Sequence, residues 1–374
     1  MIRVAVIAPD QPRCGIADYV ALHLGLFPND IEPVLMAMPG ADRSRGDWKK
    51  LAGQANACDL VHVHFEAGLF APVKAWRNRY LDFMEAIERP RLVTLHDAYP
   101  ILEPRWRLSR PWRLGGLARD LACLPLFPDW DQRHYRQADH YVVHTELLRS
   151  LVDSHIGAQR ITLLPMPVPE TGWRWRGPVG GRPRLITPGF IKPHKGCERL
   201  LGLLCEHEDW CWTLAGGPQN RLDHTYTERL RAEIRALDLD GRVMITGHLA
   251  RADVEARLAE ATIAVFPFRH SAGSSSIAWA MAVGLPVVTT DLPSIRGLVE
   301  SGAGIAQLPA QEAQWSDWLA SLLGDHEHLW SLSRLNLAHA RAHGFQVLAE
   351  RVAELYRSLS AASACPLPAR EAST

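Results

Sequence analysis

The sequence has no net charge, few cysteines and no long apolar run. Its 41 lysines and arginines balance 41 aspartates and glutamates, so no overall charge attracts it to nucleic acid. The seven cysteines form no C-x-x-C pair, which argues against a zinc site or a disulfide framework. No run approaches the ~20 residues of a membrane span, and the apolar start of the chain is too short for a signal peptide. These absences predict a soluble, cytoplasmic protein with no metal and no cofactor.

The arrangement of apolar segments predicts an α/β protein of two domains. At 374 residues the chain is too long for one ordinary core. Short apolar strands alternate with longer helical segments, which is typical of parallel sheets. The predicted strands are Val4–Ile7, Val34–Met38, Leu60–His64, Leu92–Leu95, Tyr141–Val143, Ile161–Leu164, Leu185–Thr187, Trp212–Leu214, Val243–Thr246, Ile263–Phe266, Val287–Thr289 and Gly304–Gln307. We expect doubly wound domains over residues 1–167 and 184–344, joined by a proline- and glycine-rich linker, residues 168–183.

The segment from Ile263 to Thr290 is the most informative part of the chain. A strand leads into a glycine-serine loop, then a short helix and another strand. Glycine lets the backbone approach a phosphate, and the unpaired N–H groups of a helix start attract anions. An ordinary serine-capped helix is the alternative. The candidate phosphate contacts are Gly273, Ser274, Ser275 and Ser276.

A second candidate anion site follows the strand that begins near Arg184. There Gly189 ends the strand, and Lys195 directly precedes Gly196 before the next helix. A lysine at this place can supply a positive charge to a diphosphate, although most lysines are simply solvated. The two loops together suggest one diphosphate held between them.

Ionisable residues and glycines also follow other predicted strands. Since ligands of such sheets bind beyond the carboxyl ends of the strands, a cleft between two facing domains is expected. A lone histidine there is more often structural than catalytic. His64 with Glu66, and His144 with Glu146, could instead be metal ligands, a weaker alternative. The residues in question are Gly15, His64, Glu66, His96 and His144 in the first half, and Gly189, Gly216, Gly217 and His248 in the second.

Taken in order, several short motifs resemble family 4 of the retaining glycosyltransferases, which have the GT-B fold. The most specific is Ala280–Val288; the others are Gly15–Tyr19, Leu95–Asp97, Gly189–Ile191 with Lys195-Gly196, Leu214–Gly217 and Thr246-Gly247. The resemblance implies two Rossmann-like domains facing across a cleft. The C-terminal domain would bind a nucleotide-diphosphate sugar and the N-terminal domain a glycan or lipid-linked acceptor, as in polysaccharide biosynthesis. Lysine and helix N-termini would replace a metal ion on the diphosphate, and residues 345–374 would cross back to the first domain.

The resemblance also implies a role for each candidate. His96 would be catalytic, positioning the sugar or the acceptor. The leaving diphosphate would be bound by Lys195 and the Gly273–Ser276 loop, with Gly15 leaving room for it. Weaker predictions place Gly189, Gly217, His248 and Ser271 near the nucleoside or sugar, and His64, Glu66 and His144 near the acceptor.

Three positions depart from the family pattern. Members usually have glutamates at the positions of Ser271 and Trp279, and often an arginine at that of Phe190. The two glutamates commonly contact the donor sugar and the ribose, so these contacts are in doubt. Core packing is the favoured interpretation of Trp279, given its size. An epimerase of the same fold, or a non-catalytic partner of an active transferase, remains an alternative function.

The segment from Arg105 to Arg136 interleaves arginine with tryptophan and leucine. Such a pattern suits the anionic headgroup region of a bilayer. A surface helix with snorkelling arginines is the favoured alternative. Peripheral contact with the inner face of the plasma membrane is therefore a possible further property.

Overall fold

The computed structural model describes residues 1–11, 14–40, 42–70, 78–97, 133–178, 181–271 and 273–364. The chain divides into two compact units. One comprises Met1–Leu164 together with the residues from Leu348 onward, and the other comprises Pro165–Val347. Residues 105–132 of the arginine- and tryptophan-rich segment lie outside the described residues, so the membrane prediction concerns a part of the chain on which the structure is silent.

Each unit contains a six-stranded parallel sheet, and all twelve predicted strands are found. The strands of the first sheet are β1 (Ile2–Ala8), β2 (Ile31–Ala37), β3 (Leu60–Phe65), β4 (Arg91–Leu95), β5 (His140–Val143) and β6 (Ile161–Leu163). Those of the second are β7 (Arg184–Pro188), β8 (Cys211–Ala215), β9 (Val243–Ile245), β10 (Ile263–Phe266), β11 (Val287–Thr289) and β12 (Ile305–Gln307). The prediction of two doubly wound α/β domains is confirmed.

Helices connect the strands and cover the sheets. Those of the first unit are α1 (Gly15–Leu24), α2 (Arg45–Ala55), α3 (Arg79–Met84) and α4 (Glu146–Ile156). The second unit contains α5 (Leu201–Glu206), α6 (Arg221–Ala236), α7 (Arg251–Glu260), α8 (Ser275–Ala282), α9 (Pro293–Glu300), α10 (Trp315–Gly324) and α11 (His326–Ala342). The last helix is α12 (Phe345–Ala364). Reciprocal capping boxes start α2 at Ser44 and α6 at Asn220, which satisfies backbone N–H groups that would otherwise lack partners.

The order of the strands determines where ligands can bind. The first sheet has the order β2-β1-β3-β4-β5-β6 and the second β12-β11-β10-β7-β8-β9. In each sheet the direction of winding reverses once, between β1 and β3 and between β7 and β10. Loops leaving the carboxyl ends of strands at such a switch point diverge and leave a crevice. Strands β3 and β10, which lie beside these points, are buried on both faces. Burial on both faces explains the continuous apolar sequence of β10, whereas β3 also buries His62 and His64.

The predicted linker and the last helix both pack against other described residues. In the predicted linker, Trp175 is buried in the core of the second unit, and its indole N–H donates to Ala261 O at 2.8 Å. Near the end of the chain, Arg357 forms a bidentate ion pair with Asp30 of the first unit, at 2.7 and 2.9 Å. No helix among the described residues is long and apolar enough to cross a membrane.

Candidate functional site

The loops after β7 and β10 meet at the switch point of the second sheet. These strands are direct neighbours, with Leu185 paired to Ile263. The loops are also tied to each other, because the Arg269 N–H donates to His194 O at 2.8 Å. Gly196 allows this contact: its φ is +63°, and a Cβ there would lie 2.5 Å from Pro267 O. Only glycine fits such a left-handed position so close to another backbone.

Gly189, Lys195 and Ser276 come together at this point. Gly189 has a φ of +97°, and a Cβ built on it would lie 2.3 Å from Ser276 Oγ and 3.1 Å from Lys195 Nζ. The missing side chain therefore makes room for the lysine and the serine. Three residues that the sequence assigned to two separate loops thus form one cluster.

Lys195 is the central charge of this cluster. It is only 9% exposed, and its Nζ donates to Ser276 Oγ at 3.5 Å. Among the described residues, no carboxylate forms an ion pair with it. Burial lowers the pKa of the lysine to about 8, because the charged form has lost water. A buried ammonium group without a paired anion is rare in proteins, so this arrangement favours an anionic ligand.

The start of α8 supplies backbone donors beside the lysine. Ser274 is the N-cap residue, but its side chain makes no capping hydrogen bond. The first N–H groups of the helix, with their partial positive charge, therefore remain available to an anion. Ser275 is exposed, whereas Ser276 is buried against Lys195. Ser271 Oγ is occupied within the loop, since it donates to Gly273 O at 2.8 Å and accepts from Gly273 N at 3.2 Å.

An aromatic pair lies next to the cluster. The rings of Phe190 and His248 meet edge to face, with centroids 5.8 Å apart. His248 Nε2 donates to Pro218 O at 2.9 Å, which requires its proton to be on Nε2. A side chain at Gly217 would lie 3.1 Å from this nitrogen. The predicted nucleoside-side residues Gly217 and His248 are therefore adjacent and border the loop of Gly189.

Trp279 differs from the prediction that it belongs to the core. It is half-buried and packs against the edge of the core. The Arg251 guanidinium lies over its indole ring, 4.7 Å from the centroid. Helix α8 turns this position toward α7 rather than into the sheet, and the sequence alone does not reveal that rotation.

A separate cluster of aromatic rings lies at the carboxyl ends of β3, β4 and β5 in the first unit. Tyr19 of α1 contacts the rings of His64, His96 and His144, with centroids 5.6, 4.9 and 5.5 Å away. Gly15 begins the same helix, and no described atom lies within 4 Å of a side chain built there. Packing against the described residues therefore does not require a glycine at this position.

The hydrogen bond with His64 determines which ring nitrogen of His96 carries the proton. His64 Nδ1 and His96 Nε2 are 2.9 Å apart, so one of the two carries the shared proton. His64 is fully buried, and its Nε2 has no partner among the described residues. A buried N–H without an acceptor is costly, so His64 holds its proton on Nδ1 and donates it to His96. His96, which is half-buried, then carries its own proton on Nδ1, and this N–H can donate a hydrogen bond to a ligand.

These histidines are neutral. Burial lowers the pKa of His64 and His96 well below its ordinary value and that of His144 to about 4. His144 Nδ1 donates to Leu164 O at 2.8 Å. Because none carries a positive charge near pH 7, the cluster can offer hydrogen bonds to a ligand but no charge. Among the described residues, no three histidine, cysteine or acidic side chains are placed to hold a metal ion.

Sequence reasoning missed His62. Its Nδ1 lies 2.6 Å from the Tyr356 hydroxyl of α12, and its Nε2 lies 2.8 Å from Thr94 Oγ1. The ring of His62 also packs 4.5 Å from that of His64. The His62-x-His64 alternation on one strand was a visible signal, but Tyr356 is distant in sequence.

Glu66, also predicted here, is half-buried, and its carboxylate lies 3.0 Å from the Cβ position of Gly68.

Comparison with known proteins identifies the class to which the fold belongs. A family described as Glycosyl transferases group 1 matches residues 182–325. No curated protein sequence matches the chain. The fold resembles that of HepE from Anabaena, which was solved with UDP and glucose. The TM-score is 0.68 and the sequence identity 16%, and the match covers 96% of this chain and 100% of that one.

Two further structures are similar to the chain. One is sucrose-phosphate synthase from Thermosynechococcus elongatus, with a TM-score of 0.70, 14% identity, and coverage of 97% and 100% of the two chains. The other is WaaG, a glycosyltransferase involved in lipopolysaccharide biosynthesis, with a TM-score of 0.65, 13% identity, and coverage of 95% and 99%. The fold is GT-B, and the comparisons support a glycosyltransferase.

Proposed function

We propose that the protein is a metal-independent family 4 glycosyltransferase, which transfers a hexosyl group from a nucleotide-diphosphate sugar to a hydroxyl group of a glycan or glycolipid with retention. The observation that carries the proposal is the position of Lys195. Its ammonium group is buried, has no ion-pair partner in the described part of the chain, and lies beside the start of α8, whose N-cap side chain makes no capping bond, at the switch point of the second sheet. This combination suits a diphosphate, whose charge increases as the sugar leaves.

The chemistry proposed for this site is electrostatic. Lys195 and the N–H groups that follow Gly273 stabilise the charge that develops on the departing diphosphate. Phe190, Gly217 and His248 border the nucleoside. In the first unit, the Nδ1–H of His96 donates a hydrogen bond to an oxygen of the sugar or the acceptor. His64 and His144 are buried, so we assign them the task of orienting His96, and Glu66 remains the candidate for direct acceptor contact.

A panel of nucleotide sugars tests the function. UDP-glucose is the first candidate donor, because a complex of HepE contains it. Release of nucleoside diphosphate that requires an acceptor, and that persists with EDTA, supports the proposal. NMR of the new glycosidic bond establishes whether the configuration is retained. Isomerisation without acceptor would identify an epimerase, and binding without turnover a non-catalytic partner protein.

The alkaline pH dependence of nucleotide binding is expected to follow Lys195. Its pKa of about 8 means that the charge is present below this value and is lost above it. A phosphate is already fully ionised there, since its second pKa is about 6. UDP affinity measured by calorimetry should therefore fall above about pH 8, by up to tenfold per pH unit. Lys195→Arg keeps its charge and should flatten the profile; an equally steep fall in this variant would contradict the assignment.

The lowered pKa of Lys195 affects folding stability in the opposite direction from nucleotide binding. In the unfolded chain Lys195 keeps its proton up to its ordinary pKa of 10.5, so the unfolded state binds more protons between the two pKa values. The contribution of this lysine to stability in the absence of ligand therefore increases as pH rises from about 8 to 10.5. Between about pH 8 and 10.5, nucleotide binding is therefore tightest at the low end, whereas the contribution of Lys195 to stability is greatest at the high end.

His96→Ala is expected to separate catalysis from nucleotide binding. Turnover should fall by about ten- to a hundredfold, because a ligand oxygen loses its donor. Affinity for free UDP should stay near that of the wild type, since Lys195 and α8 supply the nucleotide contacts. His155→Ala, in a surface helix of the same unit, is the matched control and should change neither value. A large loss of UDP affinity in folded His96→Ala would show that the donor is bound differently.

A further inference from the structure

One lysine does not balance a diphosphate, and the loop at the β7 end contains another. Lys192 and Lys195 lie at the two ends of one tight turn, in which the Lys195 N–H donates to Lys192 O at 3.0 Å. The family that the motifs resemble often has an arginine at the position of Phe190, where this chain has phenylalanine. Two side chains near the cluster, Lys192 and Arg269, could supply the missing charge.

Arg269 is already neutralised. Its Nε and Nη2 donate to Glu198 Oε1 at 3.2 and 2.5 Å. The Tyr226 hydroxyl donates to the other oxygen of the same carboxylate, which holds Glu198 in position. A guanidinium paired in this way offers little net charge to a ligand. Arg269 therefore does not replace the missing arginine.

Lys192 is held differently. It forms no ion pair among the described residues, and its Nζ lies 5.6 Å from the centroid of the Phe190 ring. A ring face attracts a cation without cancelling its charge. Lys192 is also half-buried and close enough to Lys195 and His194 to add to the lowering of both pKa values, of which burial is the main cause. Two unneutralised cations in one turn repel each other unless an anion lies between them.

We infer that Lys192 is the second cation of the diphosphate site, held on the face of Phe190 in place of the arginine that family members have at that position. This inference rests on the proposed function, because it assigns a further residue to the same ligand. It also explains how phenylalanine can occupy position 190: the ring positions a charge that comes from two residues further along the chain.

Calorimetric binding of UDP and of inorganic pyrophosphate tests the inference. Lys192→Met should weaken both ligands by about tenfold and reduce the salt dependence of binding. The matched control removes the ion pair as a unit, in the double variant Arg269→Met with Glu198→Gln, and should bind both ligands as the wild type does. Adding Phe190→Arg to Lys192→Met should restore most of the affinity, since it returns a cation to the same place.

A second readout distinguishes a charge from a structural role. Removing Lys192 takes a like charge away from Lys195, so the alkaline loss of UDP binding should shift to higher pH in Lys192→Met even though the affinity is lower. Wild-type affinity and an unshifted profile in this variant would overturn the inference and leave the proposed function standing. Failure of the wild type to bind UDP and pyrophosphate would instead overturn the proposed function, and the inference with it.

Discussion

Replacing Gly273 with aspartate is expected to weaken UDP binding by at least about a hundredfold. Gly273 directly precedes the N-cap residue of α8, and its own N–H and carbonyl are held by Ser271 Oγ. A carboxylate here would face the phosphate oxygens that the helix start attracts. Two unit charges 4 Å apart repel by about 4 kcal/mol at an effective dielectric constant of 20, and solvent reduces part of this value. Calorimetric titration with UDP measures the effect.

Gly273→Asn separates charge from size. Asparagine has the shape of aspartate without its charge, so it should bind UDP much more tightly than Gly273→Asp does, with a loss of about tenfold or less for steric reasons. Both variants should unfold at temperatures similar to that of the wild type, because the loop is only partly buried. Equal affinity of the two variants would mean that the phosphate groups lie elsewhere.

Gly189→Ala is expected to disrupt the cluster from the other side. The added methyl group would lie 2.3 Å from Ser276 Oγ and 3.1 Å from Lys195 Nζ, so both groups must move. The positive φ adds a strain of about 1–2 kcal/mol. UDP affinity should fall by roughly a hundredfold, because the charge-assisted contacts of Lys195 depend on its position. Thermal unfolding should also occur at a lower temperature.

Two further variants make this result interpretable. Gly202→Ala lies in α5 of the same unit, and no atom of the described residues is within 4 Å of the new methyl group, so UDP affinity should not change. Gly189→Ala combined with Ser276→Ala removes the overlapping oxygen and should recover stability without recovering full affinity. If Gly189→Ala alone keeps wild-type affinity, the convergence of Gly189, Lys195 and Ser276 has no role in binding.

Much of the site could be proposed from the sequence because its elements are local. Lys195 before Gly196, and Gly273 before a run of serines, are patterns contained in a few consecutive residues. Their capacity to bind an anion follows from backbone conformation and helix termini. The environment of Trp279 could not be predicted, because it depends on Arg251 in another helix. The same reason applies to His62 and its partner Tyr356.

By itself, the sequence determined the strands, their alternation with helices and the division into two halves. Each of these depends on short apolar runs and on the residues that interrupt them. Only the tertiary structure decided which loops meet. Lys195 and Ser276 are 81 residues apart in the chain, and they become neighbours because the sheet places β7 beside β10 instead of following chain order. The tertiary structure also decided the charge states. Burial leaves His64 and His96 neutral, Glu198 neutralises Arg269, and Lys195 has no ion-pair partner among the residues that the structure describes.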